Sequence, residues 1–387
     1  MTPLIYFRLE NFKAIQRAAI RFTPLTVLIG NNGSGKSSLI EGLETYRAIV
    51  ADGLDAAMQR WFGLEHVWNK AAKHPLLAEG KRQRTYGNPI SFTANGQIDG
   101  KPYRAEMVVN AKPGLNGIFI ERETIKSPGV APMNRQASGS YKFHGETEKL
   151  RHGDFDVGQS AVPRLLKEHV VAWQFLSLSP DSMGPPTVKS MATNGNLLLN
   201  RDGSNLAQYL LNIRTKDTAA FDGIIEAMQF VLDYAQNFEP VETREIQPTM
   251  YLKMLEQVRD ENIEIPGWLI STGTLRILAL LAVLRNPDPP PLIVVEEIEN
   301  GLDPRTINLI LKEIQTAVQS GHTQVILTTH SPYFLNLLDL SHLVLCERVE
   351  GAPVFRRVSD IKSVAEWAKS FAPGQLYTMD RIHAEGR

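Results

Sequence analysis

The sequence predicts an α/β protein whose core is a mixed parallel and antiparallel sheet, and three observations predict it. Residues Gly30 to Ser37 read Gly-Asn-Asn-Gly-Ser-Gly-Lys-Ser, preceded by the apolar run Leu25 to Ile29 and followed by the helix-forming Ser38-Leu-Ile-Glu-Gly-Leu. Residues Pro89 to Ile125 alternate apolar and polar side chains with period two, the pattern of half-buried antiparallel strands. From Pro291 onward the pattern alternates strand, helix, strand, helix, strand, as in a half-wound parallel sheet.

The first observation carries the chemistry. A strand, a loop of the form G-x-x-x-x-G-K-S and a helix make a phosphate-binding loop, in which curled backbone turns successive N–H groups toward phosphate oxygens. Gly30, Asn31, Asn32, Gly33, Ser34, Gly35, Lys36, Ser37 and Ser38 are therefore the expected nucleotide contacts. Lys36 would reach the β- and γ-phosphates and the Ser37 hydroxyl would ligate Mg²⁺. The cofactors expected are ATP and Mg²⁺. The plain alternative is a Gly-rich turn before a helix.

The elements follow in order. Leu4 to Phe12 and Ala19 to Phe22 read as two strands leading into the Leu25–Ile29 strand. A stretch from Trp61 to His74, rich in Trp, His and Lys, has no legible role. In the period-two region, Asn95-Gly96 and Gly114 to Gly117 are the expected turns, and Ser127 to Ser140 reads as a Gly/Ser/Pro-rich loop. Leu206–Leu211 and Phe221–Tyr234 read as helices of a separate lobe. Strands are expected at 292–295, 324–328 and 343–345, with helices at 304–318 and 332–338 between them. No heptad pattern persists for a coiled coil.

Composition narrows the class. The 387 residues suffice for one large or two smaller cores. A formal net charge of −1 gives no global attraction to nucleic acid or anionic membrane, so any DNA contact must come from a local patch. Cys346 is the only cysteine, which excludes a disulfide and a cysteine metal site and suits a reducing cytosol. The longest aliphatic run, Ile277–Leu284, is closed by Arg276 and Arg285 and is too short for a bilayer span. A cytoplasmic protein without a membrane segment is the expectation.

A second pole of chemistry is the strand Leu292–Val295, which runs into Glu296-Glu297 and then Ile-Glu-Asn-Gly-Leu-Asp-Pro304. Carboxylates at the C-terminal end of a parallel strand sit where α/β sheets bind ligands. One can hold Mg²⁺ while the other orients an attacking water. The alternative is the polar start of a loop. Ser271-Thr-Gly273 precedes the apolar helix Leu275–Leu284, so its N–H groups lie at a positive helix end; read alone it is a helix cap. His330 follows the strand Gln324–Thr328, where a lone histidine can equally be structural. Lys81-Arg-Gln-Arg84 with Tyr86 is either a basic patch or a solvated turn.

These motifs, in this order, resemble an ABC-type ATPase head of the SMC/RecF-like branch, and most of all its stand-alone bacterial "predicted ATPase" group, AAA-type and similar to OLD proteins without a Toprim domain. Leu9-Glu-Asn-Phe-Lys13 and Arg201-Asp-Gly-Ser-Asn-Leu206 also look like that group. The resemblance implies a P-loop NTPase of ABC-ATPase type: one head in which 1–175 and 290–387 form the nucleotide lobe. An antiparallel insertion lies at about 86–145, and 176–289 form a helical signature lobe.

It also implies roles. Ser271 and Gly273 would touch the γ-phosphate held by a second copy, Asp303 would line the interface, and Gln174 would be a Q-loop residue reporting Mg²⁺. Glu296 would hold the metal, in place of the Asp of most relatives. Glu297 would be the catalytic carboxylate, His330 the switch histidine, and Lys13 a phosphate or adenine contact. The function implied is a slow ATPase closing as an ATP-sandwiched homodimer, in nucleic-acid maintenance or anti-phage defence, with a separate effector and DNA as candidate partners. Rival readings are a non-catalytic ATP-gated scaffold or sensor and a transporter energy subunit. An OLD-type nuclease is disfavoured because about 40 residues after Cys346 are too few for another domain.

Overall fold

The computed structural model describes residues 3–79, 83–98, 100–115, 117–127, 130–136, 140–143, 146–149, 159–160, 162–189, 197–243, 247–259 and 261–383. The chain forms two compact units. The first comprises Met1–Trp173, Leu340–Phe371 and Asp380–Arg387; the second comprises Gln174–Asp339 and Ala372–Met379. The sequence reading grouped 290–387 with the first lobe, whereas 290–339 pack within the second unit.

In the first unit, strands Leu4–Phe12 and Ile15–Arg21 pair as a hairpin at the edge of an eight-stranded antiparallel sheet. The sheet continues through Ile90–Ile98, Lys101–Ala111, Ile118–Ser127, Val130–Gln136, Ser140–Phe143 and Glu146–Lys149. Alternation is strict where the period-two pattern is clear: Ile90, Phe92 and Ala94 are buried and Ser91, Thr93 and Asn95 are half-buried. The strand Leu25–Ile29, buried throughout, lies parallel to Leu343–Val349, which pairs antiparallel with Ala352–Arg357. Helix Lys36–Asp52 follows the phosphate loop.

Two sequence expectations in this sheet need correction. Asn95-Gly96 is no turn: both lie within Ile90–Ile98, with Gly96 opposite Tyr103. Glycine is used there because a Cβ would press on the Pro3 carbonyl and on the Tyr103 ring, 2.7 Å from Cε1. The pairing runs on instead to Ile98 opposite Lys101, with Gly100 at φ 76°. Likewise 130–136 of the expected 127–140 loop are a strand paired with Ile118–Ser127; residues 128–129 and 137–139 lie outside the described residues. So do Lys81 and Arg82 of the candidate basic patch, and Asn116 of the Gly114–Gly117 turn.

The Trp61–His74 tract now has a function. Val67 and Asn69 hold the turn between the first two strands, through Lys13 N–H to the Val67 carbonyl at 2.6 Å and Asn69 Nδ2 to the Lys13 carbonyl at 2.8 Å. That turn needs holding, because Asn11 and Lys13 both adopt positive φ, 57° and 46°, where non-glycine backbone is disfavoured.

The second unit carries three parallel strands, Gln174–Leu176, Leu292–Val295 and Gln324–Thr328. Its helices include Leu206–Lys216, Thr218–Val231, Thr272–Leu284 and Pro304–Gln319. Residues Leu275 to Val283 are all buried, the signature of a helix enclosed on every side. The expected helical lobe also contains an antiparallel sheet of Thr187–Val188, Ala235–Glu242, Thr249–Val258 and Glu261–Pro266. Sequence reasoning missed it. Among the described residues no helix is long and apolar enough to cross a membrane.

Candidate functional site: a phosphate loop and a carboxylate–histidine cluster

The phosphate loop belongs to the first unit. Gly30, Gly33 and Gly35 adopt φ 138°, 75° and 108°, conformations that L side chains rarely take. Two have a packing reason as well. A Cβ on Gly30 would collide with the Cys346 carbonyl, and one on Gly35 would lie 2.7 Å from Pro353 Cβ. The loop is thus pressed against the strand Leu343–Val349 and its hairpin partner. Asn31, Asn32 and Gly33 are exposed at its tip, while Ser34, Gly35 and Lys36 are buried.

Lys36 Nζ donates to the Gly30 carbonyl at 2.6 Å and the Asn31 carbonyl at 3.1 Å, which fixes the ammonium inside the curl. Ser37 is exposed and Ser38 half-buried on the first turn of the helix, whose first N–H groups have no intrahelical acceptor. The cradle suits a polyphosphate: positive φ, a lysine at its centre and a helix N-terminus behind.

Two supports of this loop were not foreseen. Arg348 Nε donates to the Gly33 carbonyl at 2.8 Å, bracing the tip from the second half of the unit. Lys13 Nζ pairs with Glu41 at 2.8 Å and sits 3.6 Å over the Trp61 ring. The expected phosphate or adenine contact is therefore a cation already engaged by the phosphate-loop helix and an indole.

The second unit gathers the other residues. Glu297 has φ 50°. Its N–H is held by Thr328 Oγ1 at 2.8 Å, its carbonyl accepts from Arg276 Nη2 at 3.0 Å, and its carboxylate accepts from Asn300 Nδ2. A non-glycine residue in this region persists only where its surroundings fix it. Glu296 pairs with Arg201, of the Arg201-Asp-Gly-Ser segment. Glu299, which sequence reasoning overlooked, accepts the His330 backbone N–H at 2.6 Å. Glu296, Glu297 and His330 thus leave adjacent parallel strands within one unit.

Arg276 was read only as the end of an aliphatic run. It is buried, donates to the Leu178 carbonyl at 2.7 Å, and links helix Thr272–Leu284 to Glu297. Burial lowers its pKa, opposed by the charges of Glu297 and Glu299. Ser271 caps helix Thr272–Leu284, its Oγ accepting from Thr274 N–H at 3.2 Å. Ser271 and Thr272 are exposed. Gly273 is constrained by the following loop: a Cβ would sit 2.6 Å from the Gly301 carbonyl. Asp303 caps helix Pro304–Gln319, accepting from Arg305 N–H at 2.9 Å and Thr306 N–H at 3.3 Å. The Thr306 hydroxyl, followed by these N–H groups, holds its carboxyl below the usual range.

Gln174 departs from the expectation. It opens the strand Gln174–Leu176 rather than leaving one, and it is buried. Its amide clamps Leu199 in both directions, Nε2 to the carbonyl at 2.6 Å and N–H to Oε1 at 3.1 Å. In this geometry the side chain ties the strand Gln174–Leu176 to the segment at Leu199.

Residues 25–336 match the family model described as "AAA domain, putative AbiEii toxin, Type IV TA system". The chain belongs to this family. It is a P-loop ATPase of the AAA type, and its fold is that of an SMC head domain. A curated relative, an "ATP/GTP phosphatase" of Helicobacter pylori, is 20% identical over 344 residues, 86% of each chain. Among solved structures, the SmcHead bound to the C-winged helix domain of ScpA aligns with TM-score 0.51 and 14% identity. That alignment covers 91% of this chain and 96% of the other. The SMC head domain from Thermotoga maritima aligns with TM-score 0.45 and 15% identity, over 92% and 98%.

Proposed function

We propose that this ATPase works as an ATP-gated homodimer, in which each nucleotide is held by the phosphate loop of one copy and the signature helix of the other. The observation that carries this reading is the exposed start of helix Thr272–Leu284. Ser271 and Thr272 face solvent while the body of the helix is buried, so its positive end is available to an anion brought by a second chain.

Within this reading the residues divide the labour. Lys36 and the loop N–H groups bind the β- and γ-phosphates. Ser37 and Glu296 offer the hard oxygen donors Mg²⁺ takes, and the ion's part is to offset phosphate charge. Glu297 accepts a proton from the attacking water, and its αL backbone, fixed by Thr328 and Arg276, aims the carboxylate. His330 contacts the γ-phosphate. The phosphoryl group then needs positioning and charge stabilisation more than covalent help.

The test is Glu297→Gln. An amide cannot accept the proton, so hydrolysis should fall by about 100-fold or more while ATP binding persists. ATP should then convert the variant from monomer to dimer on size-exclusion chromatography with light scattering. Normal turnover in Glu297→Gln, with Glu296→Gln binding ATP but not hydrolysing it, would reverse the assignment of the pair. A variant that binds ATP and stays monomeric would overturn the gated dimer.

A nucleic-acid partner is favoured by one further observation. Cross-strand registers place Arg21, Tyr6, Asn95, Arg104 and Lys126 directly opposite one another across five strands. At about 4.8 Å per strand this row spans about 19 Å and carries three cations, of which Arg104 pairs with Glu106; it lines a cavity of about 1040 Å³ together with Arg8, which pairs with Glu10. Such a stripe fits a phosphate backbone. An Arg21→Ala, Arg104→Ala, Lys126→Ala triple variant should lose duplex-DNA affinity, and its log K against log salt should be shallower by about two to three. An unchanged slope would remove this face from DNA binding. A separate effector docked on the head has a counterpart in a solved neighbour of the same fold, an SmcHead bound to the C-winged helix domain of ScpA, and the role read from the motifs is nucleic-acid maintenance or phage defence.

A further inference from the structure

The short helix Pro373–Thr378 belongs to the second unit, although the chain on either side of Ala372–Met379 belongs to the first. It is fastened at Gly374 to the segment that follows His330, at two points. Gly374 N–H donates to Asn336 Oδ1 at 2.8 Å. The same glycine lies so close to the Pro332 carbonyl that a Cβ would collide with it. Leu376 is fully buried. The turn that starts the helix is locked in addition by Ala372 N–H donating to Gln375 Oε1 at 2.9 Å.

This anchoring delivers one functional group. The Tyr377 hydroxyl lies 3.2 Å from His330 Nδ1. The backbone of the same histidine is held from the other side by Glu299. In an imidazole, the bond made at one nitrogen decides what the other can do.

We propose that Tyr377 is a positioning residue for His330: by bonding Nδ1 it fixes the rotation of the ring and commits Nε2 to the γ-phosphate. The inference rests on the reading of His330 as a γ-phosphate contact. Tyr377 itself touches no reactant. Its contribution is to keep the ring from sampling orientations in which Nε2 misses its target, and misplacement of a catalytic group by about 1 Å can cost up to about 100-fold.

The test is a double-mutant cycle read in steady-state ATPase kinetics. Tyr377→Phe keeps the ring that packs in the helix and removes only the hydroxyl. It should lower kcat by about tenfold while KM for ATP and the affinity for a fluorescent ATP analogue stay within about twofold. In a His330→Ala background the same change should have no further effect, because the residue it acts through is gone. The ¹⁵N resonances of the His330 ring should also shift in Tyr377→Phe, reporting a changed hydrogen bond at Nδ1. Wild-type kcat in Tyr377→Phe, with His330→Ala impaired, would overturn this inference alone. An equal tenfold loss in both backgrounds would also overturn it, since Tyr377 would then act elsewhere. Wild-type kcat in His330→Ala would instead overturn the functional reading of the histidine, and the two failures are distinguishable.

Discussion

Glu296 and Glu297 are neighbours in sequence with opposite surroundings. Glu297 is held in a left-handed backbone by the Thr328 hydroxyl and by Arg276, whereas the Glu296 carboxylate pairs with Arg201. A guanidinium on a carboxylate competes with a cation for the same oxygens. The pair is partly exposed, so the competition is worth about 1 kcal/mol at most. Arg201→Met should therefore lower the Mg²⁺ concentration for half-maximal turnover by about fivefold, a shift of that size in free energy. A rise in the Mg²⁺ requirement would show that Arg201 orients Glu296 instead of competing for it. The pair of glutamates was legible in sequence because a strand ran straight into it. Arg201 was marked only by the resemblance of its segment and Glu299 stood unremarked inside the quoted motif, while Tyr377 reaches His330 from far along the chain with no local pattern to mark it.

At the scale of elements, helix Lys36–Asp52 rests on an aromatic cluster. Tyr46 lies 6.3 Å from Phe7, 6.0 Å from Phe92 and 6.1 Å from Trp173, measured between ring centroids. The rings anchor the helix whose first turn ends the phosphate loop. Tyr46 is 1% exposed and its hydroxyl has no hydrogen-bond partner among the described residues; burial accordingly pushes its pKa well up. Tyr46→Phe removes an unsatisfied polar atom while keeping the ring. It should stabilise the protein by about 1 kcal/mol in chemical denaturation, with ATP affinity unchanged. Loss of stability would mean that the hydroxyl has a partner in solution. Regular elements were legible where one face is buried: 292–295 and 324–328 match the observed strands residue for residue. The antiparallel strands at 235–266 were missed because Tyr251 and Leu255 blur in sequence the alternation that burial shows at Met250, Leu252 and Met254, and because all of Glu261–Ile263 is exposed. Asn95-Gly96 misled for the converse reason, a strong turn signal overridden by the packing of Pro3 and Tyr103.

For the whole molecule, the decisive question is whether a site is completed by a second copy. Lys36→Ala breaks the phosphate loop and leaves the signature helix intact; Ser271→Arg does the reverse, placing bulk and charge at an exposed helix start. Each homodimer should be inactive. In a mixture, heterodimers contain one site built from two intact halves and one carrying both lesions. Activity should return to about a quarter of wild type for random pairing and independent sites. Heterodimers that form without rescue would mean a site completed within one chain or strict coupling of the two. A fully active Ser271→Arg homodimer would eliminate the signature assignment. The proposed assembly has no counterpart in sequence periodicity. It was expected from the order of four short motifs, each of which has a bland local reading as a cap, a turn or a strand end.

The contact between Gly273 and Gly301 sets a limit on what this surface can become. The obstacle to any larger residue at 273 is a main-chain oxygen 2.6 Å from where its Cβ would lie. No side-chain exchange elsewhere removes a main-chain oxygen, so the position has no compensating partner. Serine at 271 can be traded for another capping residue at modest cost, but 273 tolerates nothing beyond hydrogen unless the 299–303 loop moves. The two loops are bound to drift together or not at all. A library in which position 273 is fully randomised should return glycine alone among active clones, while position 271 returns a small set of caps.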